Sequence, residues 1–182
     1  VVWTSQTHPL RIDKVAAGNA GGTIGITFCP GKRDYARARD LEADLDVIAA
    51  WKPAAMLTLI EEHEFALLNV SKIGQRAQAR DINWRHMPIV DVEPPDERFE
   101  HIWESAGPSL RDALRVGERV LVHCRGGLGR AGTVAALLLV DQGVAAAEAI
   151  KRVRAARPGA IQTDEQEQYV LDNFKSIHFR GP

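Results

Sequence analysis

The chain has 182 residues, 45% of them hydrophobic, and a formal net charge of −1 at pH 7. That length and apolar content suit one domain with a real core, and the near-neutral balance exerts no global pull toward nucleic acid or a membrane surface. The longest apolar run, Val134 to Val140, has core-helix length and is too short to span a bilayer. The first residue is Val1 rather than methionine, so a chain trimmed at its start is expected, and no signal-peptide pattern is read there. Two cysteines, Cys29 and Cys124, are in principle able to pair. A nucleophilic Cys124 would instead require a reducing compartment, so a cytoplasmic location is the expectation.

Residues 1–22 are polar and glycine-bearing, with a turn at Asn19-Ala-Gly-Gly22, and read as an N-terminal extension or hairpin ahead of a single domain over 23–182. Thr23 to Phe28 alternates apolar and small residues, as a strand does, and Pro30-Gly31 ends it. Lys32, Arg33, Arg37 and Arg39 form a short basic run, read first as a solvated loop and second as a basic rim favouring phosphorylated substrates. Asp40 caps a helix to about Trp51, with Leu41, Leu45, Ile48 and Ala49 on one face. Ala55 to Ile60 is a continuous apolar run, the mark of a buried parallel strand. Glu61-Glu62-His63-Glu64 suits first-turn helix charges better than metal ligands, because a second ligand cluster is missing. Ser71 to Arg80 reads as an exposed helix, and Ile82 to Ile89 as a further strand.

Asp91-Val-Glu-Pro-Pro-Asp96 lies just past that strand, where sites gather in parallel sheets, and its prolines stiffen it. Residues 97–115 carry Phe99, Ile102, Trp103, Ala106, Leu110 and Leu114 at helical spacing, with Gly107-Pro108 expected to break or kink the segment. Arg119 to His123 is a strand, and a helix runs from Arg130 to about Gln142, where Gly143 suits its C-terminal cap. Ala145 to Arg157 is a second helix with a solvated basic face (Lys151, Arg152, Arg154). Thr163 caps a last helix, to about Phe174, through a Thr-x-x-Gln box with Gln166. Strands alternating with helices argue an α/β fold: a central parallel-rich sheet flanked by helices on both faces.

The stretch from Val120 to Thr133 carries the chemistry. A short apolar strand enters a loop containing Gly126, Gly127 and Gly129, and a helix follows. Glycines let successive N–H groups turn inward as an anion cradle, and the helix adds its positive end. Such a field favours thiolate over thiol at Cys124, and Arg130 can fork onto two oxygens of a tetrahedral oxyanion. The loop thus offers a phosphate site of Arg125, Gly126, Gly127, Leu128, Gly129 and Arg130 with a nucleophile at its floor. A Walker A loop needs Gly-Lys-Ser/Thr where Arg130-Ala131 stands, and the three glycines lack the G-x-G-x-x-G spacing of a dinucleotide site.

His123-Cys124-x5-Arg130 resembles the signature of the cysteine-dependent protein tyrosine and dual-specificity phosphatases. The string His-Cys-x-Gly-Gly-Leu-Gly-Arg is most similar to that of the cyclin-dependent-kinase-associated group. Ile24 to Gly31, Pro88-Ile-Val-Asp91 with Pro94-Pro-Asp96, and Gly159-Ala-Ile-Gln-Thr163 with Gln166 resemble that family's first strand and turn, its acid segment and its late glutamine motif. The resemblance implies the cysteine phosphatase fold, no cofactor and no metal. It implies a phosphorylated protein or peptide as substrate, carrying phosphotyrosine and also phosphoserine or phosphothreonine. Cys124 attacks phosphorus, Arg130 and the loop amides stabilise the oxygens, and Asp91 protonates the leaving group and later activates water. Asp96 is the rival acid and equally an N-cap; Glu93 is an outsider. Gln162 and Gln166 are the candidates for positioning the water, with capping the other role for Gln166. His123 supports the loop by hydrogen bonding and lowers the thiol pKa, or simply packs. One departure is Ala131, where the family usually has Ser or Thr to stabilise the departing thiolate. Thr133, two residues on, would point to another side of the helix, so slow breakdown of the phosphoenzyme is expected. A lipid or inositol-phosphate phosphatase, and a phosphoprotein-binding pseudophosphatase, are the competing readings. Sequence leaves the oligomeric state open.

Overall fold

Hydrophobic runs with β-branched residues set the sheet, and the loops at its C-terminal end set the site. The computed structural model describes residues 2–18 and 21–179, with side chains through 173. The strands are Asp13–Ala16 (β1), Thr23–Phe28 (β2), Ala55–Thr58 (β3), Trp84–His86 (β4) and Arg119–Cys124 (β5). They form one sheet in the order β1-β2-β5-β3-β4, antiparallel only between β1 and β2. The helices are Leu41–Trp51 (α1), Glu62–Leu67 (α2), Ile73–Gln78 (α3), Glu97–Arg115 (α4), Gly129–Asp141 (α5), Ala146–Ala156 (α6) and Asp164–Phe179 (α7).

The alternation of side chains along each strand divides the core into two layers. Ile24, Ile26, Leu57, Val120 and Val122 pack with Phe99 and Leu110 of α4, Leu138 of α5 and Val153 of α6. Met56 and Leu121 face the other way, onto Leu45 and Ile48 of α1, Phe65 of α2 and Ile73 of α3. Helices therefore cover both faces of a parallel-rich sheet, as the strand–helix alternation predicts. Helix α5 is buried from Gly129 through Val140, which explains its unbroken apolar sequence.

Several boundaries differ from the sequence reading. Helix α4 runs through Pro108 without a break, held by the buried stripe of Phe99, Ala106, Leu110 and Leu114. The strand expected over 82–89 shrinks to three residues, and Pro88 lies just beyond it on the edge of the sheet, where a missing N–H is tolerated. Only the N–H groups on either side of it, of Met87 and Ile89, reach the carbonyls of Thr58 and Leu59, at 2.9 and 3.0 Å. Helix α3 is not simply exposed: Ile73, Gly74 and Ala77 are buried. A Cβ on Gly74 would stand 2.7 Å from the Trp84 ring, so that close approach needs glycine.

The caps of α1 and α7 form as expected. Asp40 accepts from the Ala43 N–H at 2.9 Å. The Gln166 N–H donates to Thr163 Oγ1 at 3.2 Å, and the Thr163 N–H to Gln166 Oε1 at 3.3 Å. Of the turn read at 19–22, Asn19 and Ala20 lie outside the described residues. On its far side the Ala17 N–H meets the Gly22 carbonyl at 2.8 Å, closing β1 onto β2.

The basic run after β2 is not a solvated loop. Arg39 is buried and forks onto the equally buried Asp44 at 2.7 and 2.8 Å. Lys32 is also buried, while Arg33 stays exposed. Arg37 lies over the Trp3 ring, 5.4 Å from its centroid.

Candidate active site

Three loops that follow parallel strands meet at the C-terminal edge of the sheet: those after β5, β3 and β4. This is where open α/β sheets place their sites, because strand ends and helix starts converge there. Strand β5 sits between β2 and β3 and delivers Cys124, 3% exposed, to that edge.

Every carbonyl of the loop from Cys124 to Gly129 is tied outward. That of Cys124 faces His123 Nδ1 at 3.5 Å. That of Arg125 accepts from the Cys29 N–H at 3.3 Å and from Lys32 Nζ at 2.9 Å. Those of Gly126 and Gly127 accept from Arg157 at 2.9 and 3.1 Å. That of Leu128 accepts from the N–H groups of Gly132 and Ile161 at 2.8 and 3.3 Å. That of Gly129 accepts from Thr133 Oγ1 at 2.8 Å. Because C=O and N–H oppose each other in a trans peptide, anchoring the carbonyls outside turns the amides inside. Among the described residues, none accepts from the N–H groups of Arg125, Gly126, Gly127 or Leu128. Gly127 is at φ +68, and a Cβ there would strike the Thr27 carbonyl at 2.5 Å, so both its conformation and its contact require glycine.

Arg130 completes the cradle from the first turn of α5 and is 1% exposed. Its Nη1 and Nη2 fork onto Glu64 at 2.6 and 3.0 Å, and Nη1 also donates to the Ile89 carbonyl at 3.1 Å. Its Nη2 lies 2.9 Å from Asp91 Oδ1. Its Nε is buried and unpartnered, a donor left over at the loop. Burial works against the guanidinium charge, yet the Glu64 hydrogen bonds and the negative groups nearby win and raise its pKa. For Glu64 burial pulls upward, and the Arg130 bond with the Glu61 N–H overcomes it, holding the carboxyl below its usual range. Glu64 is thus the fixed counter-charge that aims Arg130. The sequence reading left it as a helix charge, and nothing in a run of three glutamates marks which one turns inward.

Asp91 reaches Arg130 from the loop after β4 and stays 54% exposed. Val92, a β-branched residue at φ +62, follows it in a backbone region such residues avoid. Two bonds from the start of α7 hold this turn: Thr163 Oγ1 to the Val92 carbonyl at 3.3 Å, and Gln166 Nε2 to the Glu93 carbonyl at 3.1 Å. Asp96 is elsewhere. It caps α4, accepting from the N–H groups of Arg98 and Phe99 at 3.1 and 3.2 Å. Despite some burial, its bonds to Arg98 and Phe99 hold its carboxyl below the usual range.

The two glutamines stand differently. Gln162 is exposed, and its Oε1 accepts from the Gly129 N–H at 3.0 Å. Gln166 is fully buried, with its Oε1 taken by the N–H groups of Gln162 and Thr163 and its Nε2 by Glu93. It joins the acid turn to the late loop.

His123 is also fully buried, and burial lowers its pKa to about 3, leaving the ring neutral. Trp84 Nε1 donates to Thr58 Oγ1 at 2.8 Å, so the Thr58 proton goes to His123 Nε2 at 2.7 Å. That assigns the remaining ring proton to Nδ1, facing the Cys124 carbonyl. A neutral ring adds no cation beside the sulfur; its contribution is the hydrogen bond. Both cysteines are free thiols. Cys29 packs in the opposite layer from Cys124, and burial pushes its thiol far up.

A family model described as the Swiss Army Knife protein, DSP-PTPase phosphatase domain, matches residues 37–170. The chain belongs to this family. It is a cysteine-type member of the dual-specificity and tyrosine phosphatases, similar to the cyclin-dependent-kinase-associated group. Cyclin-dependent kinase inhibitor 3 of Mus musculus is 28% identical over 154 residues, covering 84% of this chain and 72% of the mouse protein. The probable protein tyrosine phosphatase type IVA A of Dictyostelium discoideum is 33% identical over 100 residues, 54% of this chain and 58% of that protein. Among solved structures, a kinase-associated phosphatase with serine substituted for its catalytic-site cysteine superimposes with a TM-score of 0.80 at 24% identity. The match covers 93% of this chain and 97% of that one. At that identity it speaks for the fold, and its α/β architecture is the phosphatase fold that the loop motif led us to expect.

Proposed function

We propose that the chain is a protein phosphatase hydrolysing phosphotyrosine, and also phosphoserine and phosphothreonine, through a phosphocysteine intermediate. One observation carries this reading. Four unpaired loop amides and the unpartnered Nε of Arg130 surround the end of β5, where Cys124 lies, and Asp91 is held to the same arginine. The Cys124 thiolate attacks phosphorus; an S–P bond forms as the P–O bond breaks. Asp91, as the acid, gives its proton to the departing oxygen. Water then attacks phosphorus, Asp91 takes the water proton, and the thiolate leaves. The loop amides and Arg130 stabilise the equatorial oxygens in both steps. In this reading Gln162, whose Oε1 accepts from the Gly129 N–H, orients the water, and Gln166 holds the loops around it. The thiolate needs a reducing compartment, in keeping with a cytoplasmic enzyme. Among the described residues no helix is long and apolar enough to cross a membrane. Residues 23–182 are the proposed phosphatase domain, with 1–22 as its extension.

The test is turnover of a small aryl phosphate across pH for the wild type, Cys124→Ser, Asp91→Asn and Asp96→Asn. We expect no turnover from the serine variant, loss of the basic limb in Asp91→Asn, and a near wild-type profile for Asp96→Asn. Saturable phosphopeptide binding by a reduced, folded wild type that turns nothing over would replace the enzyme with a binding module.

A further inference from the structure

Arg157 lies outside every motif recognised in the sequence, yet it grips the loop from behind. Its Nη2 donates to the Gly126 carbonyl at 2.9 Å and its Nε to the Gly127 carbonyl at 3.1 Å. Those are consecutive peptides, and one planar fork therefore fixes two peptide planes at once. No other described residue donates to either carbonyl. The third nitrogen, Nη1, is anchored 2.7 Å from Asp13 Oδ2. Asp13 is itself 7% exposed, sits on β1 opposite Ile26, and also holds the Nε of Arg11. Two residues separated by 144 positions thus back the loop, and one of them lies ahead of the segment that the family model matches.

We infer that Arg157 is a positioning residue for the oxyanion site and that Asp13 is its anchor. In each gripped peptide the carbonyl points at Arg157, so the N–H groups of Gly127 and Leu128 point away from it, toward the bound anion. The guanidinium charge also lies at the negative ends of those two peptide dipoles, aligning their positive ends with the anion. Gly127 also runs close to the backbone of Thr27 and Phe28, where a Cβ would stand 2.5 Å from the Thr27 carbonyl oxygen. Flipping either gripped peptide would break its bond to Arg157. This extends the site beyond the proposed acid and nucleophile, and it rests on the phosphatase reading only for the identity of the anion.

Arg157→Met keeps the stem and removes the fork; Arg157→Lys keeps a charge but only a point donor; Asp13→Asn frees the fork from its anchor. The readouts are the dissociation constant of inorganic phosphate by calorimetry, kcat and KM on an aryl phosphate, and thermal melting. Arg157→Met should weaken phosphate binding about tenfold and lower kcat on the order of 10²-fold, the effect of losing an oxyanion donor. Arg157→Lys should recover part of both, and Asp13→Asn should fall between Arg157→Lys and the wild type. Variants that melt earlier but bind phosphate and turn over within about twofold of wild type would reduce Arg157 to packing and overturn the inference. If Arg157→Met does not fold, the same comparison on Asp13→Asn decides. A wild type that binds phosphate without turnover would sink the enzyme reading alone, and phosphate affinity would still judge Arg157. A wild type that binds no phosphate would sink both.

Discussion

Glu64→Gln isolates the charge that aims Arg130. The substitution preserves shape, and its amide oxygen can still accept from the Glu61 N–H, now at 2.8 Å from Glu64 Oε2. That oxygen also keeps Arg130 Nη1, now at 2.6 Å, but the NH2 group would replace Oε1 and face the Nη2 donor that Glu64 now accepts at 3.0 Å, and the negative charge would be gone. Both side chains are almost wholly buried, at 1% and 4% exposure, so the arginine charge would be left without its main partner. Removing one member of a buried pair costs about 3–5 kcal/mol. A chain of this size melts about 2–4 °C lower per kcal/mol, which gives a fall of about 6–20 °C. An unanchored Arg130 no longer keeps its Nε at the loop, and misplacement of about 1 Å costs on the order of 10²-fold in rate. The assay is calorimetric melting at neutral pH together with kcat/KM on an aryl phosphate. The pair has a pH signature as well. Glu64 is held below its usual value of 4.5, so its stabilisation is complete above that value and is lost as pH falls through the lowered one. The acid-side loss of stability should therefore be smaller in the variant. A melting shift under about 2 °C, with kcat/KM within about threefold, would refute the claim that Glu64 aims Arg130.

Two further outcomes follow from the same site. Ala131 is fully buried one residue past Arg130, and the Thr133 hydroxyl is spent on the Gly129 carbonyl, so Thr133 does not stand in for the hydroxyl the resembled family places there. Ala131→Ser should speed breakdown of the phosphoenzyme roughly tenfold, the worth of one hydrogen bond to a charged group; an unchanged single-turnover rate would remove Ala131 from the mechanism. His123 is held neutral to about 3, against 6.5 unfolded, so the unfolded chain binds a proton that the folded one refuses. Stability should fall as pH drops through that window, by roughly 1.4 kcal/mol per unit. Urea melts at about pH 6 and about pH 4 should show this extra loss in the wild type and not in His123→Asn; equal losses in both would show that His123 titrates normally.

The sequence by itself determined the alternation of strands and helices, the caps at Asp40 and Thr163, and the loop from Cys124 to Arg130. These are short-range matters: side-chain periodicity, hydrogen bonds a few residues apart, and glycines at fixed spacing. Asp91 was preferred to Asp96 as the acid only through the resemblance; in the folded chain Asp91 pairs with Arg130 and Asp96 caps α4. Other features were decided only when distant segments met. Glu64 and Arg130 are 66 residues apart, and Asp13 and Arg157 are 144 apart. A glutamate among glutamates, or an arginine at the end of a basic helix, looks like surface charge until the sheet order brings it under the loop. The same holds for Lys32 and Arg39, whose burial comes from partners at Arg125 and Asp44. Pro108 shows the converse: its local tendency to break a helix yields to a buried stripe along α4. Local pattern fixes which residues can react, because reactivity belongs to residue type and loop conformation. Tertiary packing fixes which charges face them, because a buried charge is stable only beside a partner that the chain must fold to supply.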